Sequence, residues 1–155
     1  MFVRYFLEIP LAFERVERAL LEAPEAWLPG VAQRAEDRSV RLLAEVGFGE
    51  AFRIDKQVEI SLGEPLRRGS KTILPMSWRV TGPESLFPRL EADIELAPLG
   101  PGRTQLAIST RYTPPLGALG RAIDRALLHR VAEATIKDFL DRTGESLVTL
   151  ATADA

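Results

Sequence analysis

The sequence predicts an α+β fold in which a curved antiparallel sheet of six to seven strands packs around a long C-terminal helix, with two short helices after the first strand. Three observations predict it: an alternating first segment, several further alternating segments separated by turn residues, and a C-terminal segment with helical periodicity. Consecutive strands joined by short turns favour an antiparallel meander with one packed face and one wet face. At 155 residues the chain fits one domain, residues 1–155.

A change of periodicity separates the first strand from the two short helices. Residues 2–9 alternate with period two, which is typical of a strand. Apolar residues then recur at helical spacing over residues 13–20, and Pro24 ends this first helix. A second, irregular helix is expected from residue 25 towards residue 37, with an interruption at the Pro-Gly pair 29–30.

Five further segments alternate as strands do. They are residues 39–46, 51–62, 70–80, 89–97 and 103–113. Glycine and proline residues in the connections supply turn chemistry. Pro75 and Pro88 lie at or inside strands, and proline has no N–H for a ladder, so an edge or a bulge suits them better than a central position.

The segment from about Leu116 to about Leu147 predicts the longest helix of the chain. It carries two apolar stripes that meet in its middle, which indicates a helix covered on more than one side. The stripes are Leu119, Ile123, Leu127, Val131 and Ala134, then Leu128, Ala132, Ile136, Phe139 and Thr143.

Composition and charge argue against several classes of function. The net charge is −2 and the 20 basic residues are spread along the chain, so nucleic acid is not an expected partner. There is no cysteine and His129 is the single histidine, so neither a metal nor a cofactor is expected. No apolar run approaches the roughly 20 residues that span a bilayer, and the start has no signal-peptide pattern, so a cytoplasmic location is expected.

Three motifs carry a resemblance to a known family. They are the run PEAWLPG at residues 24–30, the Phe87-Pro88 pair before a strand, and the run YTPPLG at residues 112–117. Together with the order of elements, they resemble the START-like helix-grip (SRPBCC) superfamily, which includes birch-pollen-type allergens and polyketide cyclase-like proteins. The resemblance covers nearly the whole chain. It implies an apolar cavity between sheet and C-terminal helix that holds a small molecule, and it carries over no catalytic residue.

The resemblance and the alternation together predict a ligand-binding set. Its members lie on the inner face of the sheet or on the helix stripe that faces it: Met76, Trp78, Ile94, Ile108, Thr110, Tyr112, Ile123 and Leu127. The Trp78 N–H and the Tyr112 O–H would add polar groups to an otherwise apolar lining, as ligand pockets have. The expected function is binding or transport of a hydrophobic or amphipathic small molecule; taken singly, each of these residues also fits an ordinary core position.

Two other functions stay open at this stage. A cyclase or dehydratase would act on a polyketide-like substrate in the same cavity, with Tyr112 or an unassigned acid as the proton-transfer group. A partner-binding module would have its cavity filled by side chains. Lys56 has the parity of the inner face, so it either reaches solvent past a β-bulge or meets an acidic group of the ligand.

Glu91, Asp93 and Glu95 share one strand face at about 6.5 Å spacing, which would suit a two-carboxylate hydrolase. They alternate with apolar residues, however, and therefore belong to the wet face. Solvated ion pairs are the favoured interpretation. The arginines that could pair with them across the ladder are Arg79, Arg103 and Arg111.

Two further features have weak functional interpretations. His129 lies one helical turn from Arg125 and from Glu133, so it is either a solvated histidine in a charged stripe or a pH-tuned acid or base. Gly117 and Gly120 stand at a helix start, where backbone N–H groups could hold an anion, although flexibility near a pocket mouth explains them equally well.

Overall fold

The structure is a computed structural model, and the residues that it describes are 2–22, 24–31, 58–80, 89–113 and 125–153. These residues form six strands and three helices: β1 (Phe2–Ile9), α1 (Phe13–Glu22), α2 (24–31), β2 (Val58–Leu62), β3 (Leu66–Arg68), β4 (Lys71–Val80), β5 (Arg89–Gly100), β6 (Arg103–Thr113) and α3 (Arg125–Ala153). The predicted α+β arrangement is confirmed. The strand predicted at 39–46 and the first part of that predicted at 51–62, including Lys56, lie outside the described residues.

The six strands form one antiparallel sheet in the order β1-β6-β5-β4-β2, and β3 pairs with the other end of β4. Val3, Thr110, Ala92, Met76 and Leu62 are successive cross-strand partners from one side of the sheet to the other. Because partners in register share a face, the apolar sets of all the long strands coincide on one side. We call this the inner face and the opposite one the outer face.

Pro75 lies in the middle of β4, between two neighbouring strands, and not at an edge. Its carbonyl oxygen accepts a hydrogen bond of 2.8 Å from the N–H of Gly63. In an antiparallel strand the N–H and C=O of one residue point to the same side, so the missing N–H of Pro75 faces residues 63–65, where the neighbouring chain leaves the ladder between β2 and β3. The proline therefore sits at a break in pairing, which is the reason a central strand tolerates it.

Strand β3 was not predicted, because its three residues include two arginines and show no alternation. It pairs with β4 through Leu66 and Ile73, and the turn that joins the two strands contains Gly69 at φ +60°. A residue with a side chain rarely adopts this left-handed conformation, so the turn depends on glycine.

Helix α2 corrects the sequence prediction at residues 29–30. An interruption was expected there, but the helix continues through the Pro-Gly pair to residue 31. A proline inside a helix costs about 3 kcal/mol through its lost N–H bond. Burial of Trp27, Leu28 and Val31 on one side of the helix offsets that cost.

Helix α3 covers the inner face of the sheet. Its buried residues recur every three or four positions: Ala132, Ile136, Phe139, Leu140, Thr143, Leu147 and Ala151. The Phe139 ring packs against that of Trp78, with 5.8 Å between centroids. Gly144 marks the close approach to β1, since a Cβ placed on it would lie 3.2 Å from Leu7 Cδ1.

The C-terminal end of α3 lies at Ala153, six residues beyond the predicted end near Leu147. The additional turns stay helical because α1 holds them. Arg15 Nη2 donates a hydrogen bond of 2.8 Å to the carbonyl oxygen of Ala151. Such a bond satisfies one of the carbonyl groups that a helix end leaves without an internal partner.

Candidate functional site

Five of the predicted ligand-binding residues lie on the inner face of the sheet, and all five are buried. They are Met76, Trp78, Ile94, Ile108 and Thr110. Because β4, β5 and β6 are adjacent, these side chains come from three neighbouring strands and form one continuous surface. Phe139 of α3 stands against its Trp78 end.

The side chains of the other three predicted residues lie outside the described part of the chain. Tyr112 is the register partner of Leu90 in the ladder between β5 and β6, but its side chain is outside the described part of the chain. The same holds for the side chain of Leu127 in α3. Ile123 lies outside the described residues altogether, as do Gly117 and Gly120.

The buried polar side chains of the described interior are threonines: Thr72, Thr104, Thr110, Thr135 and Thr143. Several hydroxyl groups donate within the fold. Thr110 Oγ1 donates to the carbonyl oxygen of Val3 at 3.2 Å, and Thr143 Oγ1 donates to that of Phe139 at 2.8 Å. A ligand group near Thr110 would therefore have to donate to its oxygen, because the hydroxyl proton is already engaged.

Trp27 differs from these threonines. It is only 2% exposed, and its indole Nε1 has no hydrogen-bond partner among the described residues. A buried donor without an acceptor costs about 1–3 kcal/mol. The N–H is therefore available to an acceptor brought by a bound molecule or by a water.

The sequence contained this residue as part of the PEAWLPG run, which served only to indicate the fold. Trp27 could have been identified from its chemistry. A tryptophan on the apolar side of a short helix buries its N–H, and a buried N–H requires a hydrogen-bond acceptor.

A groove of about 360 Å³ lies between β1 and α3, which we call the β1–α3 groove. Its apolar walls come from Phe2, Val3 and Tyr5 of β1 and from Ala134 of α3. Val3 and Tyr5 are inner-face residues, since their register partners are Thr110 and Ile108. The groove therefore borders the face that carries the predicted ligand-binding residues, but none of the five that the structure describes lines the groove itself.

Charged side chains line the rim of this groove: Arg4, Arg130, Glu133 and Lys137. Lys137 Nζ donates a hydrogen bond of 2.7 Å to Asp141 Oδ2 and stands 5.4 Å from the centre of the Tyr5 ring. The hydrogen bond to the Asp141 carboxylate raises the pKa of Lys137 above its usual value. Arg130 has no ion-pair partner among the described residues, so the rim offers a free guanidinium.

His129 and the β5 carboxylates, which the sequence singled out, lie at the surface. His129 Nε2 stands 3.0 Å from Glu133 Oε1, half-exposed within a charged stripe of α3. Glu95 forms ion pairs with Arg4 at 3.8 Å and with Lys71 at 3.9 Å on the outer face. These partners differ from the arginines expected for the β5 carboxylates. Lys71 reaches Glu95 diagonally across the ladder between β4 and β5, whereas Arg4 reaches it over β6, where Ala107 and Ser109 have short side chains.

No group of three or more histidine and carboxylate side chains among the described residues is arranged to hold a metal ion. No helix in that part of the chain is both long and apolar enough to cross a membrane.

No protein-family model matches the sequence, and neither does any curated protein sequence. Solved structures do match. A conserved protein from Geobacillus kaustophilus superimposes with a TM-score of 0.56 at 17% identity, over 96% of each chain. The chain has a helix-grip fold, an antiparallel sheet covered by a long C-terminal helix. The order of its elements and this superposition agree on it.

Other helix-grip structures align at lower scores. The Zhui aromatase/cyclase from Streptomyces sp. R1128 covers 95% of this chain with 93% of its own, at 12% identity and a TM-score of 0.46. A START superfamily protein from Mycobacterium smegmatis covers 99% of each chain, at 11% identity and a TM-score of 0.45. Likeness at such identities is a likeness of fold.

Proposed function

We propose that this helix-grip domain binds a hydrophobic or amphipathic small molecule between its sheet and α3. The observation that carries the proposal is the β1–α3 groove, whose wall includes Val3 and Tyr5 from the same sheet face as Met76 and Trp78. Its volume of about 360 Å³ falls within the range of roughly 300–1,000 Å³ that small-molecule sites occupy.

Apolar contact would supply most of the affinity. At about 25 cal/mol per Å², a ligand that buries roughly 300 Å² of apolar surface gains about 7 kcal/mol before the entropy of association is subtracted. We assign the orientation of the ligand to the predicted polar groups of Trp78, Tyr112 and Thr110, and to the Trp27 N–H, which has no partner among the described residues. A ligand with one hydrogen-bond acceptor and an otherwise apolar body fits this set.

Binding is favoured over catalysis by the kind of polar group present. The buried side chains with polar atoms in the described interior are five threonines and the indoles of Trp27 and Trp78, and neither kind of group transfers a proton readily near neutral pH. A cyclase or dehydratase would need an acid or base in contact with its substrate. Turnover of a polyketide-like substrate by the purified protein would replace the binding proposal with the enzymatic one.

A ligand panel tests the proposal, with fluorescence of the protein's two tryptophans as the readout. The panel contains long-chain alcohols, long-chain ketones, flat polycyclic phenols and alkanes of matched length. We expect saturable binding of all four classes, weakest for the alkanes, with a change in emission, because both tryptophans are buried. If no class binds in titration calorimetry or fluorescence, the proposal is wrong.

Two matched Trp→Phe variants then locate the hydrogen bond. Trp27→Phe removes the unpartnered N–H and keeps an aromatic ring, so we expect it to weaken a ketone about 2- to 13-fold, the equivalent of 0.5–1.5 kcal/mol, while the matched alkane is unaffected. If the Trp27 N–H is the donor to the ketone, Trp78→Phe removes only packing and should weaken the ketone and the alkane by equal factors. Equal loss of ketone and alkane in Trp27→Phe would show that Trp27 contributes only packing.

A further inference from the structure

A second groove lies on the outer face of the sheet, away from α3. Its volume is about 580 Å³, and its floor crosses several strands. One line of cross-strand partners runs through it: Phe2, Arg111, Glu91, Ser77 and Ser61. We call this surface the outer groove. The proposed ligand site lies on the other side of the sheet, although Phe2 of the edge strand lines both grooves and Met76 borders the outer groove.

In the outer groove, the negative charges lie on one strand and the positive charge lies on the next. Glu91 and Asp93 stand on β5, and Arg111 stands on β6 as the register partner of Glu91. None of the three has an ion-pair partner among the described residues, although Glu91 and Arg111 are neighbours. Side chains of opposite charge therefore lie on adjacent strands without forming an ion pair with any described residue.

Apolar side chains accompany these free charges. Phe2 is 61% exposed and Phe6 is 60% exposed, both on the outer face of β1. Leu66 at the opposite side of the sheet is 48% exposed, and Ile73 beside it is half-buried. Exposed aromatic side chains next to arginine are the composition that protein–protein interfaces favour.

We propose that the outer face is a homodimer interface, in which a second copy of this chain docks through a two-fold axis parallel to the strands and between β5 and β6. Such an axis places the β6 column of one copy over the β5 column of the other. Arg111 then meets Glu91 of the second copy, and the symmetry repeats the contact in reverse. The same operation brings Phe6 over Ile73 of the second copy.

Charge complementarity selects this occupant among the alternatives. A nucleic acid or an anionic membrane would require a surface of one positive sign, and the outer groove carries two free carboxylates beside one free guanidinium. A second copy supplies both signs in the required order. Two sheets packed face to face, about 10 Å apart, also leave room for the phenylalanine rings to interdigitate.

The size of the face sets the strength of the expected dimer. Four strand spacings of about 4.8 Å and eight residues at about 3.3 Å describe a flat area of roughly 500 Å². Standard interfaces bury about 800 Å² per partner, so this one belongs to the small class. We expect a dissociation constant on the order of 10 μM.

Sedimentation equilibrium of the full chain between about 1 and 200 μM tests the proposal. Wild type is expected to convert from monomer to dimer across this range. Arg111→Glu is expected to raise the dissociation constant at least tenfold, because it places like charges opposite each other twice per dimer. The double variant Arg111→Glu/Glu91→Arg is expected to restore dimerisation, since it exchanges the two charges and keeps their complementarity.

Arg130→Glu is the matched control, because it changes the net charge equally on α3, outside the outer face. It should dimerise as wild type does. If circular dichroism shows that Arg111→Glu does not fold, Phe6→Ser serves as the second probe. It should also favour the monomer. A monomer at 200 μM overturns the proposal. A dimer that Arg130→Glu disrupts and the outer-face variants leave unchanged overturns it as well.

Discussion

Phe139→Ala is expected to lower the free energy of unfolding by about 3–5 kcal/mol. The side chain is fully buried at the contact between α3 and the inner face, and its ring lies 5.8 Å from that of Trp78. Truncation removes the transfer energy of the ring and leaves a cavity that the two rigid elements cannot close. Urea unfolding followed by circular dichroism measures the loss.

Phe6→Ala provides the control for this substitution, measured at a protein concentration of a few micromolar. It deletes the same atoms from a side chain that is 60% exposed, so its effect should remain below about 1 kcal/mol. Equal losses at the two positions would show that α3 does not pack on the sheet through Phe139.

Gly144→Leu is expected to destabilise the protein by about 1–3 kcal/mol or more, even though glycine is a poor helix former. A Cβ at residue 144 already approaches Leu7 Cδ1 at 3.2 Å and Cδ2 at 3.3 Å, and the rest of a leucine has no free volume behind it. Either α3 moves away from β1 or Leu7 leaves its rotamer. Thermal and urea unfolding report the loss.

Glu145→Leu is the companion variant, since the neighbouring residue is exposed and receives the same side chain. Its stability should lie within about 0.5 kcal/mol of wild type. If Gly144→Leu were as stable as Glu145→Leu, the close approach of α3 to β1 would be refuted.

Most strands were predictable because alternation is a local property. Residues 2–9 and 103–113 alternate with period two on their inner face, and the structure has strands with those bounds. The same alternation separated the outer carboxylates Glu91 and Asp93 from the buried Ala92 and Ile94. A residue's position along a strand decides its face, so no knowledge of the partner strand was needed.

Several features depended on neighbours that the sequence does not name. The helix through residues 29–30 persists because Trp27 and Val31 are buried on both sides of the Pro-Gly pair. Pro75 is tolerated in a central strand because the adjacent chain breaks its pairing at that point. Propensity predicts the opposite in both places, and tertiary packing overrides it.

The candidate site shows the same division. Parity alone identified Met76, Trp78, Ile94, Ile108 and Thr110 as a set that shares one face. It did not predict the unpartnered N–H of Trp27, nor the walls that Tyr5 and Ala134 contribute to the β1–α3 groove. Which donor finds an acceptor depends on distances between elements, and periodicity contains no information about those distances.

By itself, then, the sequence determined the type of most elements and which side of each is buried, because these follow from residues two to four positions apart. The tertiary structure decided the contacts between residues distant along the chain. Thr110 donates to Val3 across 107 residues, and Arg15 holds the end of α3 at Ala151 across 136 residues. Those bonds exist only after the sheet and helices assemble, because a hydrogen bond needs its two atoms within about 3 Å of each other.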